Sequence, residues 1–182
     1  MPLLKTIMVA LLLITFLVTT SAQAQFGRRY RIEQNNPPAT EVIVARWHFG
    51  TNGAIGHFGW SHNYPSSDEN FNGFILQSTR IDIEVPSYRI IELGSDEVFD
   101  YPFAYVSEPG EMELTEKEVE NLKEFINRGG FVLMDDFDGP WQLDTMRSQV
   151  QRAFPDRPFI RLEPDHRLFR ILFQLNDLNG MS

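Results

Sequence analysis

The 182 residues carry 42% hydrophobic and 13% aromatic side chains, enough for one sizeable core and too little for several. Sixteen Lys and Arg against twenty-five Asp and Glu give a formal charge of −9, which argues against a nucleic-acid surface built from clustered cations. The chain has no cysteine, so a disulfide framework, a thiol nucleophile and a lipidation cysteine are all excluded.

The amino terminus reads as a signal peptide over residues 1–24. Lys5 supplies the positive region, Ile7 to Val18 the apolar region, and Ala22-Gln23-Ala24 a small-x-small cleavage site. The apolar run falls short of the roughly 20 residues that a spanning helix needs. Export without disulfides fits a bacterial periplasm or exterior, and no transmembrane span is expected in the mature chain. Residues 25–40 then form a flexible leader, with Arg28, Arg29 and Arg31 solvated and Asn35 to Thr40 a short linker. A single domain is expected over residues 41–182.

Glu41 to Phe49 reads as the first strand. The glycine- and aromatic-rich stretch behind it holds Trp47, His48, His57, Trp60, His62 and Tyr64, placed where α/β proteins set their ligand contacts. Ser66 and Glu69 suggest a capping box for a helix with Phe71, Phe74 and Ile75 on its inner face. Tyr88 to Leu93 and Phe103 to Ser107 are the next core strands, separated by a turn or short helical piece at Asp96 to Asp100.

The most informative stretch is Leu114 to Gly139. Thr115 and Glu118 form a capping box, and Val119, Leu122, Phe125 and Ile126 recur at helical spacing. Gly129 and Gly130 stop the helix, and Phe131 to Met134 is a continuous apolar run that suits a strand buried on both faces. Trp141, Met146, Val150 and Phe154 mark a further helix, and Phe159 to Leu162 a last short strand. The pattern predicts a three-layer α/β fold with a mostly parallel sheet.

Asp135, Asp136 and Asp138 follow the strand, where several carboxylates could hold a divalent cation. Asp138, two residues before Pro140, reads equally as a helix N-cap. The string DDFDG resembles a phosphatase nucleophile motif, but the following proline and the late position in the chain argue against that chemistry. Three of the four histidines, His48, His57 and His62, share one loop, and the fourth is His166. Their spacing matches no local zinc signature. Gly-x-Ser-x-Gly is absent, so no nucleophile elbow is present.

The ordered motifs Tyr101-Pro102-Phe103, Arg128-Gly129-Gly130-Phe131, Asp135-Asp136-Phe137, Phe154-Pro155-Asp156-Arg157 and Asp165-His166 carry a resemblance. Between Glu41 and Leu175 the chain resembles the bacterial domain of unknown function family 4159. That resemblance implies a flavodoxin-like or class I glutamine amidotransferase-like fold. It also implies an envelope setting, often encoded beside a MoxR-type ATPase and von Willebrand A-type proteins. Amidotransferases use Cys, His and Glu, and without a cysteine His166 has no thiol to activate. Relatives continue past Asp165-His166 with a further strand and helix, whereas this chain stops at Ser182, so one unpaired sheet edge is expected.

Two functional readings follow. One is a non-catalytic binding or assembly module of the cell envelope, with protein partners and a ligand surface formed by Trp47, His48, His57, Trp60, His62, Asp135, Asp136 and His166. The other is a metal-assisted hydrolase with Asp135 and Asp136 as metal ligands and one or more histidines as ligand or base.

Overall fold

The computed structural model describes residues 34–52, 59–136 and 138–171. The chain divides into two units, Met1–Glu33 and Gln34–Ser182, and every described residue belongs to the second. Among the described residues four strands run parallel: β1 (Val44–His48), β2 (Tyr88–Glu92), β3 (Phe103–Ser107) and β4 (Phe131–Asp135). Their order across the sheet is β2-β1-β3-β4. The described α-helices that accompany them are α1 (Ser66–Ser78), α2 (Glu116–Asn127) and α3 (Gly139–Ala153). None of the described helices is long and apolar enough to cross a membrane.

The strand register sorts the side chains onto two faces. Ala45, Trp47, Ala104, Val106, Val132 and Met134 meet Val119, Leu122 and Phe125 of α2 and Met146, Val150 and Ala153 of α3. Val44, Tyr88, Tyr105, Phe103 and Leu133 form the opposite face, where Phe71 and Ile75 of α1 pack. Parallel strands need crossover connections, and these helices are what cover the sheet.

The capping box of α2 is fully formed. Thr115 N–H donates to Glu118 Oε2 at 2.7 Å, and the Thr115 hydroxyl accepts from Glu118 N–H at 3.3 Å. Glu118 also accepts the Gly50 N–H at 2.8 Å, so the cap ties the helix start to the loop after β1. Thr115→Ala is expected to cost about 1 kcal/mol. Urea unfolding checks this, and an unchanged midpoint would show the cap to be idle. Gly129 ends the helix at φ +94°, and a Cβ at Gly130 would stand 2.3 Å from the Phe125 ring.

Several expectations need correction. Phe131–Asp135 is not buried on both faces: Phe131 is 55% exposed, because β4 is the last strand of the described sheet and α1 packs over β1 to β3. The edge of β4 borders an apolar groove lined by Ile126, Val132, Met134, Val150, Phe154 and Phe159. Phe159 to Leu162 forms no strand, and Phe159, Ile160 and Leu162 stay exposed, since no backbone ladder receives them. Ser66 caps nothing. It is the first residue of α1 behind Pro65, and its hydroxyl donates to the Asn63 carbonyl. Phe74 is exposed, and Asn72 takes the inward position instead, donating to the Val85 carbonyl at 2.9 Å. Asp138 holds the N-cap position of α3 without a side-chain cap bond, and its N–H is held by the Gln142 side chain.

Candidate functional site

The strand order places a topological switch between β1 and β3. From β1 the chain moves to β2 on one side and later returns to β3 on the other. In open α/β sheets the crevice beyond the carboxyl ends of such strands is where ligands bind. Three segments meet at this end: the connection from β1 to α1, which carries His62, the residue after β3, Glu108, and the residue after β4, Asp136.

A buried charge pair sets the first of these segments. Arg46 projects from β1 on the α1 face and is fully buried with Asp68 of α1. Its Nη1 donates to Asp68 Oδ2 at 2.9 Å and Ser67 Oγ at 3.0 Å. Nε donates to the Trp60 carbonyl at 2.9 Å and Nη2 to the His62 carbonyl at 2.6 Å. The guanidinium also lies 4.9 Å from the Tyr105 ring centre. Burial pulls the Arg46 guanidinium below its ordinary value and pushes the Asp68 carboxyl above its own, and the attraction between them opposes both shifts. The guanidinium fork thereby fixes the backbone on either side of Ser61.

Glu108 and Asp136 are fixed by their strands. Glu108 N–H donates to the Asp135 carbonyl at 3.1 Å, which ties the two strand ends together. His62 Nδ1 lies 2.8 Å from Asp136 Oδ2 and 3.1 Å from Glu108 Oε1. Asn63 Nδ2 donates to the same Asp136 oxygen at 3.2 Å. Burial, then the Asp136 carboxylate, push the Glu108 carboxyl above its ordinary value, while His62 pulls it down. One donor atom from each of His62, Glu108 and Asp136 falls within 4.8 Å of the others, a geometry in which a divalent ion could be held.

Backbone conformation converges on the same place. Among the described residues, Asn63, Glu108 and Asp136 are the non-glycine positions with left-handed φ, at 59°, 53° and 66°. Asn and Asp enter this region more readily than other residues, whereas at Glu108 it costs of order 1–3 kcal/mol, and such positions cluster at ligand sites.

The other expected residues separate. Trp47 lies in the core, 4.9 Å edge-on to Phe125, because its position in β1 faces α2. His48 faces the other way, its ring tilted against Trp60 with centres 4.2 Å apart and its Nδ1 2.5 Å from Glu92 Oε1. Asp135 accepts a long bond from the Tyr105 hydroxyl at 3.4 Å. His166 caps the short Arg167–Arg170 turn by accepting the Leu168 N–H and takes no part in the His62 cluster. His57 lies outside the described residues.

Sequence reasoning singled out neither Glu108 nor the Arg46–Asp68 pair as site residues. Glu108 was legible only as the residue before Pro109-Gly110 at a strand end. An arginine inside an apolar strand pattern, Val44-Ala45-Arg46-Trp47, was the available sign of a buried cation and of a partner elsewhere in the chain.

No curated protein matches the chain. A family model described as "Domain of unknown function (DUF4159)" matches residues 51–181, which include His62, Glu108 and Asp136, while Arg46 lies just ahead of the matched span. With the match running from the loop after β1 to the end of the described helices and beyond, the chain belongs to the DUF4159 family.

Proposed function

We propose that this domain is a non-catalytic binding or assembly module of the bacterial cell envelope. It is exported to the periplasm or exterior and engages a protein partner through the carboxyl end of its sheet. The observation that carries this reading is the convergence of Asn63, Glu108 and Asp136, all left-handed, on the switch point between β1 and β3. Strain concentrated at one surface is what a binding site retains against stability. The strand order agrees with the first four strands of the flavodoxin arrangement, which supports a flavodoxin-like or amidotransferase-like architecture as the finer description.

The test uses the immobilised full chain and solubilised envelope of the organism that makes it. Wild type and Glu92→Gln are expected to retain the same partner in stoichiometric amount, and Glu108→Gly to lose it. Glycine at position 108 relieves the left-handed strain, so this variant is expected to melt no lower than wild type. Equal retention by Glu108→Gly and wild type, or no retention by either, would remove the proposal.

The three-donor cluster favours a second reading, a metal-assisted hydrolase, in which an ion on His62, Glu108 and Asp136 keeps positions open for water. Turnover of ester or phosphoester substrates with added Zn²⁺ or Mn²⁺, lost in Asp136→Asn, would replace the binding reading with this one.

A further inference from the structure

We infer that His62, Glu108 and Asp136 form a site for one borderline divalent ion, Zn²⁺ or Mn²⁺, that clamps the β1–α1 connection to the ends of β3 and β4. The inference rests on the switch-point site of the preceding section and names the ligand class of that site.

The donor set comes from three separate parts of the chain and mixes one imidazole nitrogen with two carboxylates. Imidazole suits Zn²⁺ and its neighbours, while carboxylate oxygens alone would suit Ca²⁺ or Mg²⁺. One nitrogen, His62 Nδ1, stands within 3.1 Å of a carboxylate oxygen on each side. A single N–H directs well at one acceptor, and an imidazolium supplies one positive charge against two negative ones. A divalent ion balances both carboxylates at once. At about 2.1 Å from each donor it separates them by about 3.4 Å, so the present 2.8 and 3.1 Å spacings from His62 open by a few tenths of an ångström while the two carboxylate oxygens, which lie within 4.8 Å of each other, settle to the same separation.

The surroundings supply charge and support. Glu111 and Asp138 add to the negative field at Glu108, and the buried cation Arg46, paired with Asp68, also attracts Asp136. His62 is held by its carbonyl, which accepts from Arg46 and from Ser107 Oγ at 3.5 Å. Asn63 donates to the Asp136 oxygen that faces the imidazole, the role an outer-shell partner plays around a metal ligand. The cluster stays open to solvent on one side, with His62 and Asp136 side chains 39% and 41% exposed. That opening leaves room for water or a partner's donor group in the remaining positions.

The experiment strips the full chain with chelator and titrates it with Zn²⁺ and then Mn²⁺ by calorimetry, with Ca²⁺ as a comparison. One equivalent of Zn²⁺ or Mn²⁺ is expected to bind with a micromolar or tighter constant, and Ca²⁺ at least tenfold more weakly. Glu108→Gln and Asp136→Asn, which keep side-chain size, should each weaken binding tenfold or more, and Glu92→Gln beside His48 should leave it unchanged. With Co²⁺, the visible absorption band of the wild type should be lost in the Glu108→Gln/Asp136→Asn double variant, whose fold is checked by circular dichroism. Binding weaker than millimolar, or binding that persists in the folded double variant, overturns the inference. Partner capture repeated in chelator separates this result from the binding reading. Capture without ion binding removes the metal alone, and ion binding without capture removes the partner alone.

Discussion

Asp68→Ala is expected to lower the unfolding free energy by roughly 3–5 kcal/mol, the cost of leaving a buried charge without its partner. Arg46 and Asp68 are both fully buried, and the Asp68 carboxylate is the one charge among the groups bonded to the guanidinium. Removing it strands a cation between the sheet and α1. Replacing both members, as Arg46→Met/Asp68→Leu, is expected to cost well below the single variant, because no charge is left buried without its partner. The double variant still loses the bonds from Arg46 to the Trp60 and His62 carbonyls, so the His62 loop should exchange its amide protons faster. Urea denaturation of both variants and hydrogen exchange of the double variant decide the matter. A single variant as stable as wild type would show that the pair contributes little, and unchanged exchange would show that it does not position the loop.

Trp47→Ala is expected to cost about 3–5 kcal/mol, the range for removing a fully buried large aromatic. The indole is completely buried between the sheet and α2, with its ring edge-on to Phe125. The lost packing lies between the sheet and α2, whereas His62, Glu108 and Asp136 lie beyond the carboxyl ends of the strands. Partner capture and ion binding measured well below the melting temperature should therefore survive in the fraction that remains folded. A shift in melting temperature of only a degree or two would contradict the core assignment. Wild-type stability with abolished binding would return Trp47 to the ligand surface.

These two residues mark the boundary between local and long-range information. Both belong to the run Val44-Ala45-Arg46-Trp47, and nothing within it tells which side chain faces the core and which faces a partner. Alternation fixes only that neighbours point to opposite faces. The identity of each face is set by helices that follow later in the chain, α1 over Arg46 and α2 over Trp47. The candidate site behaved in the same way. The loop holding His62 and the acids after β4 were legible because glycine, aromatic and carboxylate residues at strand ends have local meanings. Glu108 was not, since its importance comes from the pairing of β3 with β4.

Elements governed by neighbours within a turn or two were the ones the amino-acid order determined by itself. Phe103–Ser107 occupies the predicted span, and the Thr115–Glu118 box, the apolar stripe of α2 and the Gly129 stop are local hydrogen-bonding and conformational devices. The parallel strands and covering helices followed from those same signals. Tertiary structure alone decided that β4 lies at the edge of the described sheet, that Phe159 to Leu162 has no ladder to join, and that Phe74 faces solvent. It also decided that a histidine and two carboxylates, 46 and 28 residues apart along the chain, come within hydrogen-bonding distance. The physical reason is that strand order is a property of the whole sheet. Which strand becomes the edge, and which loops share the switch point, depend on pairings among residues far apart in sequence.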